Sequence, residues 1–240
     1  MTGKVGELLW KAASQNDLEA LTELLLPGAS SQSDVNWTDP DHSRTPLYRA
    51  CSHGHRDVVI KLLRDPRVQV NKANAAGATP FFLACQQGHT EVVRVLLRDP
   101  RIDVAKPDND MITPFFMVCA RGNLEIARMM LLDRRVDINA PTKTNTTALW
   151  FACQEGFFPV VEWILAAREG VLTTVKTVTG SNAWNGKTPR EMAAKRGHED
   201  IAKLLERYEA SPEKVRTELR RKHKLLGKVV CFVVLLCVLA

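Results

Sequence analysis

An all-α solenoid of helix-turn-helix units follows from three observations in the sequence. Four cysteines recur at positions 51, 85, 119 and 153, a constant spacing of 34 residues. The same short run surrounds them: Thr45-Pro46-Leu47-Tyr48-Arg49-Ala50-Cys51, Thr79-Pro80-Phe81-Phe82-Leu83-Ala84-Cys85, Thr113-Pro114-Phe115-Phe116-Met117-Val118-Cys119 and Thr147-Ala148-Leu149-Trp150-Phe151-Ala152-Cys153. Soon after each run comes a glycine (Gly54, Gly88, Gly122 or Gly156), then apolar residues at helical spacing. Repetition at such a period is the mark of stacked supersecondary units, none of which buries its apolar face alone.

Each element has its own physical reason. Threonine caps the first helix, and proline takes the first helical position, where its missing N–H is not needed. The glycine ends that helix. The second helix carries Val58, Val59, Leu62 and Leu63 in one unit and Val92, Val93, Leu96 and Leu97 in the next. Asp65-Pro66 and Asp99-Pro100 stop it, because proline cannot continue a helix and restricts the residue before it. Short segments such as Val68-Gln69-Val70-Asn71 and Ile102-Asp103-Val104 then lead into a polar turn. A degenerate first copy, Glu7-Leu8-Leu9-Trp10-Lys11-Ala12-Ala13, and a last copy, Thr188-Pro189-Arg190-Glu191-Met192-Ala193-Ala194 followed by Gly197, complete the series. The repeats divide as 5–38, 39–72, 73–106, 107–140, 141–180 and 181–210, and 211–240 forms a basic and then apolar tail.

The pattern T-P-L-x-x-A, then G-H, then V-V-x-x-L-L in the central copies resembles the ankyrin repeat. The resemblance covers about residues 5–210. It implies antiparallel helix pairs with projecting short β-hairpin fingers, stacked into a curved solenoid that binds protein partners. The histidine that the family places after T-P-L is replaced by a column of aromatics, Trp10, Tyr48, Phe82, Phe116 and Trp150, and ring packing between units is expected in its place. In the last copy Arg190, Glu191 and Glu206 stand at core positions, which reads as a cap against water near residue 210.

Composition bounds the function. The 240 residues are 45% hydrophobic and 25% charged, which excludes a disordered chain, a collagen-like one and a polytopic membrane protein. Lys and Arg exceed Asp and Glu by 33 to 27, yet the excess sits in residues 211–228, with seven basic and two acidic side chains. The body is near neutral, so no nucleic-acid partner is expected. Neither a secretory signal nor an N-terminal glycine for myristoylation opens the chain, so a cytoplasmic protein with reduced cysteines is expected.

No motif for chemistry survives comparison with the repeat. Equivalent atoms of stacked helices sit roughly 10 Å apart, beyond the ~7 Å reach of a disulfide and too strung out to enclose one zinc ion. The cysteines therefore read as small buried residues. His53 and His55 make an H-x-H pair, but His55, His89 and His198 all follow the helix-breaking glycine, a position the ankyrin family fills for structural reasons. The segment 180–188 has five residues between Gly180 and Gly186 where a phosphate-binding loop needs four, and Pro189 removes an N–H that would cradle phosphate. It reads as an extended finger. No catalytic residue, metal site or cofactor is predicted.

The ankyrin resemblance places partner contacts at finger tips and at the exposed ends of first helices. Carried over by position, these are Asp41, His42, Arg44, Ser52, His53, Gln86 and Gln87, then Asn109, Asp110, Ile112, Arg121, Lys143, Gln154 and Glu155, and finally Trp184, Asn185, Lys187, Lys195 and Arg196. Ile112 and Trp184 are apolar where the fold asks for nothing apolar, which favours contact; for Trp184 the alternative is folding back on the inserted finger. The expected role is a protein-interaction scaffold or adaptor, with a regulatory or accessory subunit of an enzyme complex as the alternative.

The tail adds a membrane expectation for residues 214–240. Arg216, Arg220, Arg221, Lys222, Lys224 and Lys228 precede twelve apolar residues, 229–240, a pairing suited to an anionic cytoplasmic membrane surface. As a helix those twelve residues span ~18 Å against the ~30 Å hydrocarbon core, so a full span is marginal. Cys237-Val238-Leu239-Ala240 matches the C-a-a-X pattern, which makes Cys237 a candidate for lipidation. Packing on the last repeat and a chain end that is not the natural one stay open beside insertion and lipidation.

Overall fold

A computed structural model describes residues 2–26, 34–176 and 186–225. Among them are thirteen helices: α1 (Thr2–Gln15), α2 (Leu18–Leu24), α3 (Pro46–His53), α4 (Arg56–Leu63), α5 (Pro80–Gln87), α6 (Thr90–Leu97), α7 (Pro114–Ala120), α8 (Leu124–Leu132), α9 (Ala148–Gln154), α10 (Phe158–Ala167), α11 (Pro189–Arg196), α12 (Glu199–Ala210) and α13 (Pro212–Lys222). They form two compact units, Met1–Arg121 and Gly122–Ala240.

In the first unit the threonines act as the sequence predicts. The Oγ1 atoms of Thr45, Thr79 and Thr113 accept from the backbone N–H groups of Tyr48, Phe82 and Phe116, each at 3.1 Å, and a proline follows each cap. All three threonines are buried, so water could not replace these bonds. Gly54 and Gly88 close α3 and α5 with φ of 77° and 76°, a left-handed conformation that L side chains disfavour. Helices α1, α3, α5 and α7 pack side by side in one layer, and α2, α4 and α6 in a second. Leu47, Ala50, Cys51, Phe81, Ala84 and Cys85 on one layer and Val58, Val59, Leu62, Val93 and Leu96 on the other are at most 1% exposed. Burying one such large apolar side chain stabilises the fold by ~1.5–3 kcal/mol. Val68, Val70, Ile102 and Val104 carry the same core into the segments before the fingers.

The fingers are turns, with no strand among the described residues, where the ankyrin resemblance implies β-hairpins. Each is closed by a pair of backbone bonds: Asp39 N to Arg44 O with Ser43 N to Asp39 O, Asn74 N to Ala78 O with Gly77 N to Asn74 O, and Asp108 N to Ile112 O with Met111 N to Asp108 O. Neighbouring fingers are laced by Ala75 N to His42 O and Asn109 N to Ala76 O. Both bonds of a finger lie within its turn and do not continue as a ladder. Positive φ recurs at each tip, at Ser43, Gly77 and Met111.

The second unit repeats these devices. Thr147 caps α9 through Trp150 N, and Thr188 and Glu191 form a reciprocal capping box on α11. A side chain at Gly122 would meet the Phe157 ring at 2.7 Å, and one at Gly156 would meet His198 at 2.5 Å, so glycine here serves close packing of the next unit's ring as well as the turn. Glu191 is exposed and Arg190 half-buried, with Arg190 Nε 3.1 Å from Glu209. Residues 212–222 form α13, which packs on α10 and α12 and buries Val215, Arg216 and Leu219. Beyond Leu225 the chain lies outside the described residues, with Trp184, Asn185 and Cys237.

Candidate functional site

The residues with the most chemical potential are committed to structure. Cys51, Cys85, Cys119 and Cys153 are free thiols, fully buried, and burial pushes their pKa values up, so none is a thiolate nucleophile at neutral pH. His55, His89 and His198 each place Nε2 at 3.0–3.1 Å from a carbonyl of the preceding first helix or its end, those of Ser14, Ser52 and Gln154. This is the structural role expected of the glycine-histidine pair. Where Phe157 takes the histidine's position, its ring packs against Gly122 instead. His53 stacks on His55 at 5.5 Å, with Nδ1 2.9 Å from the Arg49 carbonyl and Nε2 3.3 Å from the Arg49 guanidinium. Among the described residues, no three His, Cys, Asp or Glu side chains gather as metal ligands.

The predicted contact residues divide into two groups. Asp41, His42, His53, Gln87, Asp110, Arg121, Lys143, Glu155, Lys195 and Arg196 are exposed along finger tips and first-helix ends, and Ser52, Gln86, Gln154 and Lys187 are half-buried. Arg44 and Asn109 also have internal work. Arg44 makes a two-pronged pair with Asp39, and Asn109 Nδ2 donates to Ala75 O at 3.1 Å. Burial opposes ionisation of Asp39, but hydrogen bonds and charge from Arg44 outweigh it and hold the carboxyl below its ordinary range. Ile112 is half-buried. Its apolar character has a structural cause, since it packs with Met117 on a buried cluster of Tyr48, Ala78, Phe82 and Leu83.

The aromatic column joins units by polar contacts as well as ring packing. Asn74 Nδ2 donates to the Tyr48 hydroxyl at 2.9 Å, and Trp150 Nε1 donates to Lys187 O at 2.9 Å. At the head of the column Trp10 meets Trp37 edge-on at 6.3 Å, with the guanidinium of Arg49 4.9 Å and that of Arg44 5.8 Å from its ring. Each such contact contributes ~0.5–2 kcal/mol depending on solvent exposure. Burial and the nearby Arg44 lower the proton affinity of Arg49 from its ordinary value.

Two features escaped the sequence reading. Met111 is 49% exposed at a finger tip and holds φ of 61°, a conformation that Gly77 adopts 34 residues earlier without strain. The positions 43, 77, 111 and 145 all have positive φ, so the 34-residue period was a usable signal. The second is the seat of α13. Glu162, in α10, is 6% exposed; Lys222 Nζ lies 2.5 Å from its Oε1 and His223 Nε2 3.4 Å from its Oε2. His223 tilts over Trp163 at 4.9 Å, and Arg128 covers Trp163 at 4.3 Å. Arg220 donates to Ala166 O, and Arg216, 3% exposed, donates to the Tyr208 hydroxyl and pairs with Glu213. The signal was α10 itself, apolar on nearly every face with one acid inside.

Comparison with protein families agrees with the architecture. The family model described as ankyrin repeats in three copies matches residues 9–108 and again 101–177. Repeats of this kind are generally protein–protein interaction modules, and the fold is typically a non-catalytic scaffold. With paired helices, capping threonines, glycine-histidine joints and a family match over most of its length, this chain belongs to the ankyrin-repeat family.

Proposed function

We propose that this protein is a cytoplasmic scaffold or adaptor that grips one protein partner through finger tips and first-helix ends, with no catalysis of its own. The division into six units over 5–38, 39–72, 73–106, 107–140, 141–180 and 181–210 belongs to the same proposal. One observation carries it: side chains at the repeated core positions are buried, whereas Gln87, Asp110, Arg121 and Glu155 stand exposed at the positions where the family makes contacts. Fold and recognition thus use separate residues. A photo-crosslinking amino acid placed at Gln87 or Glu155 should capture a discrete protein in cells, while one at Arg64 or Arg98, exposed after the second helices, should not. The opposite pattern would place recognition on the other face and defeat the reading.

Membrane attachment through the C-terminal segment forms a second part of the proposal. Its support is the uncharged, apolar run 229–240 together with Lys214, Arg221 and Lys224, which are exposed. Arg216, Arg220 and Lys222 make contacts within the protein and add less to a membrane-facing charge. No helix among the described residues is long and apolar enough to cross a membrane. Fractionation of cells expressing the chain with and without residues 226–240 checks this part, which fails if both forms are wholly soluble. Replacing Cys237 by Ser then separates lipidation from insertion.

A further inference from the structure

The face of the first unit bearing Arg49 carries an unanswered charge. Arg49 lies on the Trp10 ring, and its polar contacts are neutral: Nε donates to Ser14 Oγ at 3.0 Å, and Nη2 lies 3.3 Å from His53 Nε2. Since Arg49 Nη2 can only donate, His53 Nε2 accepts there, and its Nδ1–H donates to the Arg49 carbonyl. That arrangement is a neutral imidazole. The acid whose charge acts on Arg49 is Asp39, and it is fully occupied. Its Oδ1 accepts from Arg44 N and Nε, and its Oδ2 from His42 N and Arg44 Nη2. Among the described residues Arg49 makes no ion pair. A half-buried guanidinium beside a second arginine, with Nη1 making no internal hydrogen bond, is arranged to receive a carboxylate in a two-pronged bond.

Neighbouring first helices change character at this position. Where α3 has Arg49, α5 has Leu83 and α7 has Met117, both in or against the apolar cluster under the fingers. Met111 stands on the finger before α7, half-exposed and in a left-handed backbone conformation that costs a methionine stability. Packing does not require it there, since Gly77 fills the equivalent place. An exposed apolar side chain kept at a strained position signals contact.

We propose that the first unit binds an acidic, partly apolar peptide segment of its partner, seating an Asp or Glu carboxylate on Arg49 and an apolar side chain against Met111. This rests on the reading of the chain as an interaction module and names the chemistry of what that module grips. Negative charge answers the free guanidinium, and the Trp10 ring fixes the fork so that little side-chain freedom is lost on binding.

A display library of random twelve-residue peptides, selected on the whole chain, tests it. Selected peptides should be enriched in Asp and Glu, and the tightest, made with a fluorescent label, should bind more weakly as salt rises. Changing its acid to the amide, or Arg49→Leu, should weaken binding at least tenfold, with Arg49→Lys intermediate because charge without the fork remains. Met111→Gly gives a second signature: affinity falls several-fold while the melting temperature holds or rises, because strain is relieved. If Arg49→Leu does not fold, as circular dichroism would reveal, Arg49→Lys and Met111→Gly decide. Selected peptides that bind all these variants within twofold of the parent overturn the proposal. Should their binding instead depend on Gln87 or Glu155, the broader interaction reading stands. A failure to select any peptide counts against the proposal too, and if photo-crosslinking also captures nothing, both fall.

Discussion

Helices α6 and α10 hold the same place in their units, 68 residues apart, yet they meet different surroundings. Val92, Val93 and Leu96 of α6 face the core, as do Val160, Val161 and Ile164 of α10. On the other side of α6 are Arg94, Val95 and Arg98, exposed or half-exposed; in α10 the same positions are Glu162, Trp163 and Ala166, all buried under α13. A second helix of this family can therefore be finished in two ways. It can end in water with a charged face, or it can accept another helix, and then it needs apolar bulk and a charge of the sign the incoming helix lacks. Because α13 is basic, an acid replaces Arg94's equivalent.

The largest test of that contrast is Trp163→Ala. The ring is 5% exposed and lies under His223 and Arg128, so truncation should cost ~3–5 kcal/mol and shift the urea midpoint strongly. Val95→Ala, at the matching place on α6, removes far less buried surface and should cost ~1 kcal/mol or less. Equal losses would show that α13 does not cover α10 in solution.

Next in size is the ion pair. Lys222→Met leaves the Glu162 carboxylate buried without its cation, and because Lys222 is 56% exposed the full buried-pair penalty has to be discounted, to ~1–2 kcal/mol. Adding Glu162→Leu should recover most of the loss, since two apolar groups need no pairing. Hydrogen exchange across residues 212–225 reads docking directly: Lys222→Met should speed it, and the double variant should slow it again. A double variant that exchanges as fast as the single one would mean that Glu162 does not seat α13 through Lys222.

Much of the fold was legible because its signals are local. Thr45, Thr79, Thr113, Thr147 and Thr188 cap the helices they were expected to cap, and His55, His89 and His198 join units as expected. What was missed depends on partners far along the chain. The charge count over 211–228 could not tell that Arg216 would turn to Tyr208 and Lys222 to Glu162, 60 residues away. Ile112 and Met111 show the same limit at one finger. Both are apolar, and only the backbone φ and the Tyr48 cluster decide which points out.

Acid should loosen α13 but not α6. Burial lowers the pKa of His223, as do the charges of Lys222 and Arg128, against the opposing pull of Glu162. The folded state thus holds this proton less tightly than the unfolded chain, whose histidine titrates near ~6.5. Docking is at full strength above that value and weakens as pH falls through it towards the lower folded value. Exchange of residues 212–225 should rise between pH 7.5 and 5.5, and His223→Phe should flatten the dependence. Residues 90–97 hold no histidine, and their exchange, corrected for its intrinsic pH dependence, should not change.

The smallest effect lies on α6 itself. Glu91 and Arg94 pair at 3.3 Å one turn apart, with side chains 61% and 39% exposed. Water screens such a pair, and holding two long side chains in place offsets most of the attraction, so Arg94→Ala should change stability by only ~0.2–0.5 kcal/mol. Set beside Lys222→Met, this compares one kind of charge pair on a covered helix and on an open one. Environment, more than separation, should decide the difference: the 2.5 Å pair has a carboxylate that cannot reach water, and the 3.3 Å pair does not. If Arg94→Ala shifts the urea midpoint as far as Lys222→Met does, the open face of α6 is not open, and something in solution covers it as α13 covers α10.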